Sequence, residues 1–475
     1  MREAHLHLGA LGESLSMPSL ERCQDLGAAL DLLADEARGC APAACPGGGC
    51  ESHGPGPRAG ESCAVSGGTD TCWGPARTAG ARFIRATGAR VEAWPEARWP
   101  TLDELDRATG DTPVVVMSFD HHSAVANSAA LRAANLRPGQ TIAPNGLVCV
   151  DARGRATGLL HEQAAYAAWN AAPEPTPGQR RRDVLRALKL LGAMGFDEVH
   201  DLHAPSWLAP LLGEIDRAGG LTVRVRLFAP ADRFAQDLRD REVWESERVR
   251  LAGAKVFYDG TLNSRTALVL HPYAHPDPTV GPRGKAMMTH ETLAGHMRAV
   301  RALAPELELA VHAIGDAAVR DVLDRWELLG GGRGLRIEHC ELIDEHDVPR
   351  FAQLGVTCSV QPCHLLADAP VLEREFPTRL HRVLPLKELI ESGLIPGQSL
   401  LFGSDAPIVR PNPEDSVIAA TLRRRRDEPD AHAIAREQAI GEELAWACFG
   451  NEGDSSRTHR AGASADEHTL REFKA

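Results

Sequence analysis

From residue 177 onward the chain alternates two kinds of hydrophobic pattern. Val184, Leu185, Leu188 and Leu191 recur at helical spacing and predict an amphipathic helix. Short strand-like apolar runs follow at residues 195–203, 222–230, 251–260, 307–316, 335–341, 356–362 and 400–406, with helical stretches between them. A further strand around His5 and His7 brings the number to eight. Strand–helix alternation of that length predicts an α/β fold, a closed parallel (β/α)8 barrel of the TIM type. Residues 1–450 are read as the barrel domain, 82–176 as an elaboration between its first and second strands, and 451–475 as a polar tail.

Residues 39–80 break the pattern, because Gly, Pro, Ala, Ser and Cys dominate and aliphatic residues nearly vanish. Such a composition cannot build a core, so the segment reads as a low-complexity, mobile insertion. Cys40, Cys45, Cys50, Cys63 and Cys72 lie there with His53, but they form no Cys-x-x-Cys pair and match no finger or ribbon spacing.

Composition narrows the partners. The 475 residues are 43% hydrophobic and 25% charged, enough for one large domain or two to three ordinary ones. A net charge of -13 argues against a nucleic-acid surface, which needs clustered cations. Arg423 to Arg426 form the strongest basic run; it follows the apolar stretch 417–422, so it reads as cations at a helix carboxyl end before it reads as an anion site. No apolar run is long enough to cross a bilayer, and the first residues lack a signal-peptide pattern, so a cytoplasmic location and no membrane partner are expected. The 11 cysteines then read mostly as free thiols.

Candidate chemistry sits at the ends of the apolar runs. His5 and His7 are two apart, so one strand face presents both imidazoles; alone, they are better explained by a polar face. His312, His339 and Asp405 each end a run, and in a barrel such ends converge on one mouth. Imidazole and carboxylate together suit Zn²⁺ or a similar ion. Lys255 lies inside an otherwise apolar strand and needs a partner or a modification. A salt bridge to Asp259 or Glu338 and a carboxylated lysine joining two ions both satisfy that need, and spacing does not choose between them. No Gly-x-Ser-x-Gly elbow offers a competing nucleophile.

Taken together, several motifs resemble the metal-dependent amidohydrolase superfamily, in particular the amidohydrolase 3 subgroup that contains the N-substituted formamide deformylases. They are His5-x-His7, Lys255 in Gly-x-Lys-Val-Phe-x-Asp-Gly, residues 311–316 around His312, Ile337-Glu338-His339, Gln361-Pro362-Cys363-His364 and Gly403-Ser404-Asp405-Ala406-Pro407. Trp99-Pro100-Thr101, Leu105-Asp106, the stretches 120–124 and 127–131, and Gly158-Leu159-Leu160-His161-Glu162 extend the resemblance. It implies that His5 and His7 hold a first ion and His312 and His339 a second, with carboxylated Lys255 bridging them. Asp405 would be both a ligand and the base that deprotonates the attacking water. Asp120, His122 and His364 match positions near the substrate, with His364 also a candidate catalytic group; packed, hydrogen-bonded polar residues are the equal alternative. Family members also carry a small β-sandwich, which this chain is expected to lack or to have reduced, either as a trimmed barrel that works alone or as a truncated product.

The resemblance implies hydrolysis of a non-peptide C–N bond, an amide or N-formyl group on a small molecule, with one or two Zn²⁺ or other divalent ions. Deamination of a heterocycle, cleavage of an ester or carbamate, and an inactive barrel that only binds small molecules are the alternatives. Whether the chain forms a homo-oligomer is left open by the sequence.

Overall fold

The computed structural model describes residues 1–39, 82–89, 91, 94–118, 123–142, 146–276 and 280–450. Eight apolar runs become strands: β1 (Arg2–Leu6), β2 (Glu198–Leu202), β3 (Arg224–Pro230), β4 (Val249–Phe257), β5 (Glu308–Ala313), β6 (Leu335–His339), β7 (Thr357–Val360) and β8 (Leu400–Phe402). Their order in the sheet follows the chain and each paired neighbour is parallel. The sheet closes just past β8, where His7 N donates to Ala406 O at 2.8 Å and Asp405 N donates to His5 O at 2.7 Å. The expected (β/α)8 barrel is therefore the observed fold.

Parallel neighbours need crossovers, and amphipathic helices supply them. The helix predicted from Val184, Leu188 and Leu191 spans Pro177–Ala193 and buries those three residues, with Leu185 at the edge of the contact. Thr176 and Gln179 form a capping box that fixes its start. Inside the barrel the apolar layer is thin, consisting of Leu202, Phe228 and Ala310 with Ala252 against them. Much of the remaining interior is polar, since His200, Lys255, Arg336, Glu338 and Ser359 are all buried.

The described residues between 16 and 175 gather into a compact unit of their own, while residues 1–15 belong with the barrel. Its six-stranded sheet runs in the order 84–89, 114–118, 123–126, 156–161, 146–150 and 141–142. The first pair is parallel and the rest are antiparallel. Strand Val114–Ser118 is buried on both faces: Val114 and Val116 meet Leu26, Leu33 and Leu105, and Val115 and Met117 meet Leu131 and Leu160. The sequence placed an elaboration at 82–176 within one barrel domain. The unit instead begins at Ser16, because helix Leu26–Arg38 buries its apolar face against this sheet. Several motif residues are architectural here. Asn127 accepts from Val114 N at 3.0 Å and Ala130 N at 2.9 Å, and Asp106 accepts from Ser128 N at 2.8 Å.

Apart from Gly39, the Cys-rich segment 39–80 lies outside the described residues, as does the tail 451–475. Among the described residues no helix is long and apolar enough to cross a membrane.

Candidate metal centre

Strand alternation brings Glu3, His5 and His7 to one side of the β1 region, and the backbone turns sharply where the other groups emerge. His339, Cys340 and Asp405 have φ of 74°, 47° and 60°, a left-handed conformation that non-glycine residues adopt at a cost. Each of these turns follows directly on a barrel strand. The hydrogen-bond ladder ends there while the side chains stay buried at the mouth.

Five of the sequence candidates come together. Asp405 Oδ1 lies 3.1 Å from His7 Nε2 and 3.3 Å from His5 Nε2. The rings of His5 and His339 are 4.9 Å apart, and those of His339 and His312 are 4.4 Å apart. Ligand atoms of His5, His339 and Asp405 all lie within 4.8 Å of one another. Lys255 reaches the same region, with Nζ 5.1 Å from the Phe257 ring centroid while the His312 ring lies 5.3 Å from that ring. The salt bridge from Lys255 to Asp259 or Glu338 is not formed. Nζ has no hydrogen-bond partner among the described residues, and Asp259 instead accepts the backbone N–H groups of Leu268, Ile314 and Gly315.

The donor set fits a cation. His312 Nε2 lies 3.0 Å from Gly260 O, which can only accept, so its hydrogen is on Nε2 and Nδ1 carries a lone pair. That Nδ1, His339 Nδ1 and Asp405 Oδ1 are all buried without a hydrogen bond. Burial, aided by the neighbouring Lys255 ammonium, pushes the His312 pKa down to about 3; burial likewise holds His339 well below the usual imidazole range. Neutral imidazole is the ligand form. In the metal-free cluster burial opposes charge on Asp405, yet protons on His5 and His7 beside it hold the carboxyl well below its usual range, a place that a bound cation would take. Buried lone pairs gathered around an ionised carboxylate repel unless a proton or cation lies among them.

His364 stands beside this cluster rather than in it, its ring 6.4 Å from that of His339. Nε2 is 3.1 Å from Ser404 O, and Nδ1 is 3.8 Å from Glu341 Oε1. Asp120 and His122 lie outside the described residues. Three buried groups gained no site role from the sequence. Glu3 accepts His5 N at 3.0 Å and Ser404 N at 2.9 Å, tying β1 to the turn that carries Asp405. Asp201 accepts Leu8 N at 2.7 Å, just after His7. Glu338 lies 2.6 Å from His5 Nδ1. A carboxylate within a stretch read as a barrel strand was the available signal for each.

Residues 1–445 match the amidohydrolase family. The chain belongs to that family. It is 30% identical to YtcJ of Bacillus subtilis (strain 168) over 365 residues, which are 74% of this chain and 66% of that protein. It is 26% identical to the N-substituted formamide deformylase of Arthrobacter pascens over 394 residues, 76% of this chain and 68% of that one. The chain thus spans about two thirds of the length of these curated relatives. A crystal structure of an uncharacterized metal-dependent hydrolase from Pyrococcus horikoshii superposes with a TM-score of 0.68 at 26% identity, covering 94% of this chain and 78% of that one.

Proposed function

We propose that this amidohydrolase-family chain is a metal-dependent hydrolase that cleaves a non-peptide C–N bond, an amide or N-formyl group on a small molecule. The observation that carries the reading is the carboxylate of Asp405 flanked by the Nε2 atoms of His5 and His7, with the neutral imidazoles of His312 and His339 beside them. These residues would hold Zn²⁺, which supplies Lewis acidity that lowers the pKa of water and polarises a carbonyl. Asp405 takes the proton from the attacking water and passes it to the departing amine. His312 and His339 do not compete for that proton, because burial disfavours their charged forms. His364 faces the substrate from the side, and Asp120 and His122 share that role by resemblance.

Lys255 is the bridging group when carboxylated. Burial lowers its pKa to about 8, which raises the share of neutral amine. The amine would add to CO₂ and lose one proton, giving a carbamate with two acceptor oxygens that would help hold the metal, where Nζ alone has no hydrogen-bond partner among the described residues. The similarity to the formamide deformylase supports the choice of bond. The cysteines among the described residues are free thiols, in keeping with a cytoplasmic site of action.

The test is a hydrolysis screen of N-formyl and N-acyl amines with metal quantified in the same sample. Release of amine in proportion to bound zinc is the expected result. Stoichiometric metal with no turnover of any amide would leave a binding protein, and a preparation grown with zinc that retains none would remove the metal site.

A further inference from the structure

Glu338 is fully buried, and none of the ligand roles above uses it. Its oxygens are divided between two partners. Oε2 lies 2.6 Å from His5 Nδ1, and Oε1 pairs with Arg336 Nε. Arg336 is itself fully buried and held on several sides: it donates to Ala4 O, to Ser359 Oγ at 3.0 Å, to Glu338 Oε2 at 3.3 Å and to His200 Nδ1 at 2.8 Å. A guanidinium has only donors, so His200 Nδ1 accepts and the His200 hydrogen is on Nε2, 3.3 Å from Glu198 Oε1. Glu198 in turn pairs with Arg2 and Arg226.

The direction of each bond in this chain is fixed by that logic. Arg336 cannot accept, so Glu338 remains an ionised acceptor. The hydrogen between Glu338 and His5 therefore belongs to His5 Nδ1, and the Gln361 amide 3.3 Å from that nitrogen, whose oxygen is otherwise unpaired, is assigned with its oxygen on that side. Nε2 is left as the lone pair that faces Asp405 Oδ1 at 3.3 Å.

We propose that Glu338, clamped by the buried Arg336, is a positioning residue for the ligand His5: it sets the tautomer and the ring orientation in which Nε2 meets the metal. A carboxylate behind a ligating imidazole also raises its basicity, and loss of such a partner weakens metal binding by about 10–100-fold. This inference rests on the reading of the cluster as a metal centre. The rival role for Glu338 is that of a counter-ion to Arg336 alone.

Two variants and one spectrum separate the roles. Glu338→Gln weakens the acceptor but leaves Arg336 without a counter-charge. The double variant Arg336→Met with Glu338→Gln removes both charges, which is tolerated better than breaking a buried pair. Zinc titration against a competing chelator is expected to show the His5-containing site weakened by about 10–100-fold in both, with the metal-free midpoint restored toward wild type in the double variant. Wild-type affinity in either variant, with only the midpoint lowered, would show that Glu338 merely neutralises Arg336. In zinc-loaded wild-type protein, imidazole ¹⁵N spectra are expected to place the His5 hydrogen on Nδ1, protected from exchange. Ligation through Nδ1 overturns the assignment even if neither variant is soluble. Wild-type protein that takes up no zinc would remove the metal reading and this assignment with it. Variants that load as well as a loaded wild type would remove this assignment alone.

Discussion

Asp405 tests the chemistry at the scale of one residue. A helix cap is the bland role open to a carboxylate in a Gly-Ser-Asp-Ala-Pro turn. The structure gives that role to another residue, because the next helix starts at Pro413 and Asn412 caps it. Asp405 instead turns its carboxylate toward His5 and His7. Asp405→Asn keeps the shape but removes the basic anionic oxygen. A fall in kcat of at least about 10²-fold is expected, the scale of a positioned acid–base group, at matched metal occupancy and with a thermal midpoint close to wild type. Comparable turnover on a confirmed amide substrate would defeat the assignment. That Asp405, His5 and His7 would meet was legible because polar residues ending several apolar runs converge at one barrel mouth. The role inferred for Glu338 was not, since spacing offered it to Lys255. Which imidazole or ammonium a buried carboxylate meets depends on the stagger of neighbouring barrel strands.

At the scale of elements, the sequence found the barrel strands but overran their ends. The run read as 400–406 is a strand only over Leu400–Phe402, and 335–341 only over Leu335–His339. Apolar character reports burial, not ladder pairing, and the chain stays buried through the left-handed turns at His339, Cys340 and Asp405. The second unit was hidden for a related reason. Its strands are short and its sheet mixes parallel and antiparallel pairs, so no single period marks it. Close packing between barrel strands yields a prediction here. A Cβ on Gly253 of β4 would meet Glu308 O at 2.0 Å and Phe228 Cε1 at 2.9 Å, and the first of these is backbone in β5. Gly253→Ala should therefore cost about 1–3 kcal/mol, as overpacking does. Gly295, within helix His290–Leu303, has open space, so Gly295→Ala should instead gain about 0.5–1 kcal/mol. Urea unfolding midpoints that move together in the two variants would refute the packing argument.

At the scale of the whole molecule, the site joins residues from β1 to the turn after β8, so it exists only when the barrel is closed. His5 is drawn from the first strand, His312 and His339 from the fifth and sixth, and Asp405 follows the eighth. The backbone bonds His7 N to Ala406 O and Asp405 N to His5 O close the barrel at three of the proposed ligands. Metal binding at this cluster would thus be coupled to closure, and an ion that binds only the folded chain adds RT ln(1 + [L]/Kd) to its stability. At free zinc about 1,000 times the Kd this is about 4 kcal/mol. The wild-type thermal midpoint is expected to fall on chelation and to return with zinc, while a His5→Ala, His7→Ala double variant should respond less. Lys255→Ala separates one ion from two. If carboxylated Lys255 bridges, the variant should retain about one ion fewer than wild type, and removing bicarbonate during reconstitution should mimic it. Equal metal content and full activity in Lys255→Ala would leave a single ion on His5, His7, His312 and Asp405. A midpoint indifferent to chelation in protein shown to have contained metal would uncouple the site from closure altogether.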